Sequence, residues 1–305
     1  MSPFRWQVGS FARRASGALP PQAFVLGSVF SVQLGAAVAK RLFGVLGPEG
    51  TVLLRVGFAA VVLLALWRPR IKGRSRSEML TAILFGLALA LMNLSFYSSI
   101  ARMPLGVAVT LEFSGPLAVA VIGSRRLVDL LWAALAAAGI LLLAPLGVFG
   151  HPGLDVTGVG LALLAGFFWA CYIFLNARTG RIFPGGSGLA IAMCVGAVVL
   201  LPVGIAYGGA ALLEPHALFM GFAVAMLSSA IPYSLEIEAL RRLPPRVFGV
   251  LMSLEPAVAA LVGFMVLGES LEARSAAAVL LVTVAAAGSS FRPGPAGERN
   301  DREER

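Results

Sequence analysis

Two stretches decide how this chain reads: Arg102-Met-Pro-Leu-Gly-Val-Ala-Val-Thr-Leu-Glu-Phe-Ser-Gly-Pro-Leu-Ala-Val-Ala120 and Arg242-Leu-Pro-Pro-Arg-Val-Phe-Gly-Val-Leu-Met-Ser-Leu-Glu-Pro-Ala-Val-Ala-Ala260. Each opens on an arginine and a proline, runs apolar, and holds a glutamate and a further proline near its middle. At a constant offset of 140, Arg102, Pro104, Val107, Leu111 and Pro116 fall on Arg242, Pro244, Val247, Leu251 and Pro256. The same offset sets Asn93 opposite Tyr233. The chain therefore reads as two copies of one unit.

Working outward, an apolar run of about twenty residues can cross the hydrocarbon as a helix. Such runs lie near 22–42, 50–67, 79–100, 104–122, 128–147, 157–176, 187–207, 217–240, 244–267 and 273–290. The expected fold is an all-α polytopic membrane protein of ten transmembrane helices. Five spans per copy is an odd number, so the second copy enters from the opposite side. That is an inverted repeat, an architecture common among secondary transporters. The expected organisation is a cytoplasmic tail at 1–21, a first five-helix repeat at 22–147, a periplasmic connection at 148–156, a second repeat at 157–290 and a cytoplasmic tail at 291–305.

Composition agrees with lipid as the solvent. Hydrophobic residues make up 58% of the chain and charged ones 13%, against roughly 25% charged in a soluble domain. The net charge of +9 forms no stripe of the kind nucleic acid needs. The basic residues sit in short runs between spans, the clearest being Arg68-Pro-Arg-Ile-Lys-Gly-Arg-Ser-Arg76. With the N-terminus inside, cytoplasmic segments carry 19 basic residues and the other side 4, with Arg55 left inside the second span. The positive-inside rule then puts both termini in the cytoplasm. Arg13-Arg14 reads as part of an ordinary tail, because the apolar run after it is too long for a signal core. Cys171 and Cys194 lie in apolar spans without CxxC spacing and read as unpaired core thiols.

Candidate functional residues are polar groups at membrane depth. Glu112 and Glu255 lie mid-span, where an ionisable group is expected to face a cavity or a partner. Pro116 and Pro256, at matching positions, and Pro232 lack an N–H and free the carbonyls of Glu112, Met252 and Ser228. Ser229, Tyr233 and Glu236 stand at i, i+4 and i+7 on one helix face, and Asn93 and Tyr97 are similarly stacked. Both rows can line a polar cavity or bond helix to helix. Arg55 can snorkel to the surface, pair with Glu112 or hold an anionic group. Trp169 and Tyr172 can wall the cavity or simply pack.

The segments Pro104 to Ala120, Ile231-Pro-Tyr-Ser-Leu-Glu236 and Leu251-Met-Ser-Leu-Glu-Pro-Ala257 resemble the drug/metabolite transporter superfamily. Within it they resemble the EamA family, and most of all its bacterial threonine/homoserine exporters. The resemblance spans about residues 22 to 290. It implies an inner-membrane exporter of small amino acids, driven by proton antiport through a cavity between two halves. Substrate and protons are the implied partners, together with the bilayer and no nucleic acid. Gly268-Glu269 matches a pair frequent in the family after the fourth helix of a repeat. The first half reads Gly123-Ser-Arg-Arg126 there and lacks the acid. An EamA-type carrier of another metabolite or drug is the alternative. An intramembrane enzyme is the alternative of another class, but HExxH, GxSxG and Asp-rich metal motifs are absent. No cofactor or metal is expected. Glu255, followed directly by its proline, is the first candidate for proton coupling and Glu112 the second.

Overall fold

In a membrane, a backbone group left unpaired in lipid is costly, so a chain this apolar must satisfy itself within helices. The computed structural model describes residues 20–71, 73–122, 127–143, 155–240, 242–243 and 245–290. Among these residues all regular structure is helical. Six stretches are long and apolar enough to cross a membrane: Pro21–Trp67, Arg76–Ile100, Val156–Ile182, Ser187–Leu213, Pro215–Tyr233 and Val247–Leu267. Leu105–Val119, Leu130–Leu142 and Ala273–Gly288 are shorter apolar helices. Most of the expected tails, the connection at 148–154 and Gly123 to Arg126 fall outside the described residues.

The helices run α1 (Pro21–Trp67), α2 (Arg76–Ile100), α3 (Leu105–Glu112), α4 (Ser114–Ile122), α5 (Leu127–Leu143), α6 (Val156–Ile182) and α7 (Ser187–Gly208). They continue as α8 (Pro215–Ala225), α9 (Ile231–Leu240), α10 (Pro245–Met252), α11 (Glu255–Val262) and α12 (Ala273–Ser290). The sequence suggests separate runs at 22–42 and 50–67, but α1 carries both in 47 residues. At 1.5 Å per residue that is about 70 Å of helix, twice the hydrocarbon thickness, so it must bend. The bend is at Gly47, whose φ of 66° lies in the left-handed region, next to Pro48. Thr51 Oγ1 donates to the Gly47 carbonyl at 2.7 Å and fastens the corner.

Two helix starts carry their own caps. Ser75 and Glu78 exchange backbone-to-side-chain bonds at the head of α2, a capping box. At the head of α6, Asp155 accepts from the Gly158 N–H at 2.6 Å. Elsewhere the helices are interrupted. The 104–122 run breaks between Glu112 and Ser114, ahead of Pro116, and the 244–267 run breaks at Ser253 and Leu254, ahead of Pro256. Met226–Ala230 and Gly263–Leu267 are π-turns, which are frequent where a helix does something besides span.

Small residues let the interrupted helices touch backbone to backbone, the usual way helices associate in lipid. A Cβ on Gly115 would fall 1.9 Å from the Gly166 carbonyl oxygen, and one on Gly106 would fall 2.5 Å from the Ala260 Cα. Neither neighbour is a flexible side chain. These crossings bind α4 to α6 and α3 to α11, and thereby bring Glu112 and Glu255 into one interior.

Candidate functional site

The interior is a cavity of about 190 Å³ walled by α1, α2, α3, α6, α9, α10, α11 and the Met226–Ala230 turn. Arg55, Asn93, Glu112, Trp169, Pro232, Tyr233, Glu236 and Glu255 all line it. Tyr172 does too. Tyr97 does not: it is fully buried behind the wall, and its ring carries the Arg55 guanidinium 5.2 Å from its centroid. Pro116 lines a neighbouring cavity of about 210 Å³ that shares Trp169, Met252 and Glu255 with the first. Pro256 is buried at the start of α11 and lines neither.

Pro232 explains the geometry of one wall. It has no N–H to give, and the π-turn before it widens the helix, so carbonyls near 227 and 228 lose their usual partners. Ser31 Oγ donates to the Leu227 carbonyl at 2.7 Å, and Arg55 Nη2 reaches the Ser228 carbonyl at 3.3 Å. The extra residue per turn also brings Ser228 to the cavity with Tyr233 and Glu236. Ser229, which the i, i+4, i+7 reading places there, is buried outside the lining. Gly35 of α1 crosses at this turn, where a Cβ would fall 2.2 Å from Ser228 Oγ.

Arg55 is held from three sides. Its Nη1 donates to Asn93 Oδ1 at 2.5 Å, its Nη2 faces the Ser228 carbonyl, and Tyr97 lies under its plane. These contacts hold it at the cavity and not at the membrane surface, and no ion pair joins it to Glu112 among the described residues. A guanidinium has five N–H donors, and Arg55 keeps donors for a ligand. The same cavity is lined by three carboxyl groups. Glu236 accepts from Ser28 Oγ at 2.6 Å, Glu255 Oε1 accepts from Gln33 Nε2 at 3.1 Å, and Glu112 has no side-chain hydrogen bond among the described residues. Three carboxyls and one guanidinium lining one cavity leave a site that an ammonium group or protons can neutralise.

Ser28 and Gln33 were not singled out by the sequence reading. A signal exists: Ser28, Ser31 and Gly35 fall at i, i+3 and i+7, a polar and small face on an otherwise apolar helix.

A second space adjoins the cavity on one side, and an ion-paired cluster lies on the other side of the helix bundle. Tyr172, Tyr233 and Glu236 are shared with a vestibule of about 410 Å³ that runs past Trp67 and Thr179 to Gly185 and Gly186. Arg74 sits at that end, donating to the Ile182 carbonyl at 3.1 Å. At the other end Lys40 Nζ meets Glu269 Oε1 at 2.6 Å and the Met103 carbonyl at 2.9 Å, while Glu269 Oε2 accepts the Leu105 N–H at 2.8 Å. Arg41 adds a bond to the Val266 carbonyl at 2.8 Å. Glu269 thus ties α1, the head of α3 and the end of the Gly263–Leu267 turn together.

Comparison with known proteins is consistent with this architecture. The model of the EamA-like transporter family matches residues 156–291. Over 272 residues the chain is 42% identical to the threonine/homoserine exporter RhtA of Salmonella typhimurium strain LT2, covering 89% of this chain and 91% of that one. The threonine/homoserine exporter RhtA of Escherichia coli strain K12 matches with the same identity and coverage. A solved crystal structure, 18% identical, superposes with a TM-score of 0.59 over 88% of this chain and 96% of its own, a likeness of fold alone. The relatives are exporters and the matched family is one of transporters, which removes the intramembrane enzyme as a reading. Identity of 42% sustained over 89% of the chain reflects common ancestry and not hydropathy alone, and the chain belongs to the EamA-like transporter family as a multi-pass membrane protein.

Proposed function

We propose that this chain is a secondary active exporter of small amino acids such as threonine and homoserine, working by proton antiport across the bacterial inner membrane. The observation that carries the reading is one cavity lined by a single guanidinium, Arg55, together with three carboxyl groups, Glu112, Glu236 and Glu255. A zwitterion leaving water needs a partner for each charged end, or its burial is unfavourable. Arg55 meets the carboxylate, with Asn93 and Tyr233 beside it, and Glu236 meets the ammonium group. At about 190 Å³ the cavity is smaller than the roughly 300–1,000 Å³ typical of sites for drug-sized ligands, which favours a small solute. The relatives named as threonine/homoserine exporters support the substrate class. Purified protein in liposomes should move threonine or homoserine against its gradient when a pH gradient is imposed. Movement of neither, with movement of a nucleoside or a lipophilic cation, would make it an EamA-type carrier of another solute.

The proposal includes ten spans in two inverted five-helix repeats, 22–147 and 157–290, with both termini cytoplasmic. The packing supports it. A two-fold axis relating each span to the fifth beyond it pairs the first span with the eighth as the third pairs with the sixth. Ser31 against Leu227 and Ser99 donating to the Gly158 carbonyl at 2.9 Å are such contacts. The same axis pairs the second span with the seventh, the fourth with the ninth and the fifth with the tenth. Gly204 on Leu53, Gly106 on Ala260 and Gly139 on Val282 fit that scheme. In this orientation the vestibule lies toward the cytoplasm and the Lys40–Glu269 tie toward the periplasm, an arrangement that fits loading from the inside. Reporter fusions after Arg74 and after Gly150 should read cytoplasm and periplasm respectively; the reverse at both sites refutes the orientation.

A further inference from the structure

The neighbouring cavity of about 210 Å³ has walls of a different kind from the central one. Phe113, Pro116, Leu117, Ile173 and Ala286 line it and not the central cavity, and all five present carbon. Its two polar side chains are both committed. The Ser253 hydroxyl has one proton to give, and the Val250 carbonyl accepts it at 2.6 Å. The Glu255 carboxyl accepts from Gln33 Nε2 at 3.1 Å, and Gln33 belongs to the central cavity. Apolar surface entering such a space leaves water favourably, whereas a polar group entering it loses its hydration without a partner.

Trp169, Met252 and Glu255 line both cavities and so form the partition between them. Two of the three are held in place. Trp169 meets the Phe113 ring edge-on, with centroids 5.1 Å apart and planes at 89°. Glu255 is held by Gln33 and opens α11. Met252 has no N–H or O–H on its side chain and only a weak acceptor in its sulfur, so packing alone places it. It is unbranched with three rotatable bonds, half-buried, and the last residue of α10 before the break at Ser253 and Leu254. The partition is therefore one aromatic ring, one carboxyl and one flexible thioether.

We infer that Met252 is a specificity-determining residue: it closes off an apolar side-chain subsite and thereby bounds the length of apolar side chain the carrier accepts. This rests on the exporter reading and deepens it. The ligand class that the subsite suits is an amino acid with a longer apolar side chain, such as leucine. Its charged ends have their partners in the central cavity, and its side chain enters the neighbouring space once the thioether is gone.

The test compares leucine with threonine in proteoliposomes holding the full chain, wild type or Met252→Ala. Thermal stabilisation of the purified protein by each amino acid is a second readout. Room for one further methylene in a hydrophobic pocket changes discrimination by roughly 10–200-fold. Leucine, measured relative to threonine, should therefore gain at least about tenfold in Met252→Ala. Ile173→Trp adds bulk from α6 to the neighbouring cavity alone. Combined with Met252→Ala, it should cancel the gain. If Met252→Ala does not fold, Met252→Val is read against the same limits, and Ile173→Phe stands in for Ile173→Trp on the same terms. Leucine handled by wild type as well as threonine overturns the inference and leaves the exporter reading standing. So does a variant that still moves threonine without gaining leucine, or a gain that survives filling the neighbouring cavity. If wild type neither moves nor is stabilised by threonine or homoserine, the exporter reading falls and takes this inference with it.

Discussion

Glu255→Gln is expected to abolish pH-driven accumulation of substrate while leaving downhill movement in place. One proton exchanged per substrate across one pH unit can sustain about a tenfold concentration ratio; the variant should hold a ratio near one. The reason lies in what surrounds the carboxyl. Glu255 is 8% exposed, with one oxygen on Gln33 and the other unpartnered, in the wall between the central cavity and its neighbour. It opens α11 directly after the break at Ser253 and Leu254, with Pro256 next, so the backbone there is not locked into a continuous ladder. A group that gains and loses a proton as access alternates needs such a place. Glutamine keeps size and shape, and its carbonyl oxygen can still accept from Gln33 Nε2 as Glu255 Oε1 does, so binding should survive. Glu112 is the second candidate; its lack of a side-chain hydrogen bond among the described residues suits a role beside the substrate. Accumulation by Glu255→Gln equal to wild type, at the same imposed gradient, would remove Glu255 from coupling.

Arg55→Gln should weaken handling of threonine and homoserine by the loss of their carboxylate partner. Among the described residues, Arg55 is the one basic residue that lines the cavity. Removing one member of a buried, hydrogen-bonded charge pair costs about 2–5 kcal/mol, or roughly 30-fold to several thousand-fold in apparent affinity. Arg55→Lys should recover part of this: it keeps the charge but cannot serve Asn93, the Ser228 carbonyl and a carboxylate together from a planar fork. A general disturbance of the fold would affect every ligand alike. The specific expectation is that KM for threonine rises while binding of the corresponding amine, which has no carboxylate, changes little. A wild-type KM for threonine in Arg55→Gln would contradict the assignment.

Much of the candidate site could be read from sequence because polar groups are conspicuous at membrane depth. Asn93, Glu112, Tyr233, Glu236 and Glu255 stand out in apolar runs for that reason, and all of them line the cavity. Direction was harder to read. In water a helix shows an apolar stripe to the core and a polar face outside, but in lipid both faces are apolar. Periodicity therefore could not tell that Tyr97 turns behind Arg55 while Asn93, one turn away, reaches the cavity. Nor could it tell that a π-turn substitutes Ser228 for Ser229. Gln33 and Ser28 were passed over because a neutral side chain can be accommodated in a span by an interhelical bond, so it attracts less notice than a charge.

By itself the sequence determined that this chain lives in a membrane and where its helices are interrupted. Both follow from local chemistry: the cost of charge in hydrocarbon, and the missing N–H of Pro116, Pro232 and Pro256. Only the tertiary structure decided which interruptions meet. Ser28 bonds Glu236 across 208 residues and Gln33 bonds Glu255 across 222. Such pairs depend on how close two backbones come, and that is set by crossings such as Gly115 on Gly166, Gly106 on Ala260 and Gly35 on Ser228. A glycine announces that an approach is possible; the partner it approaches is a property of the packed bundle.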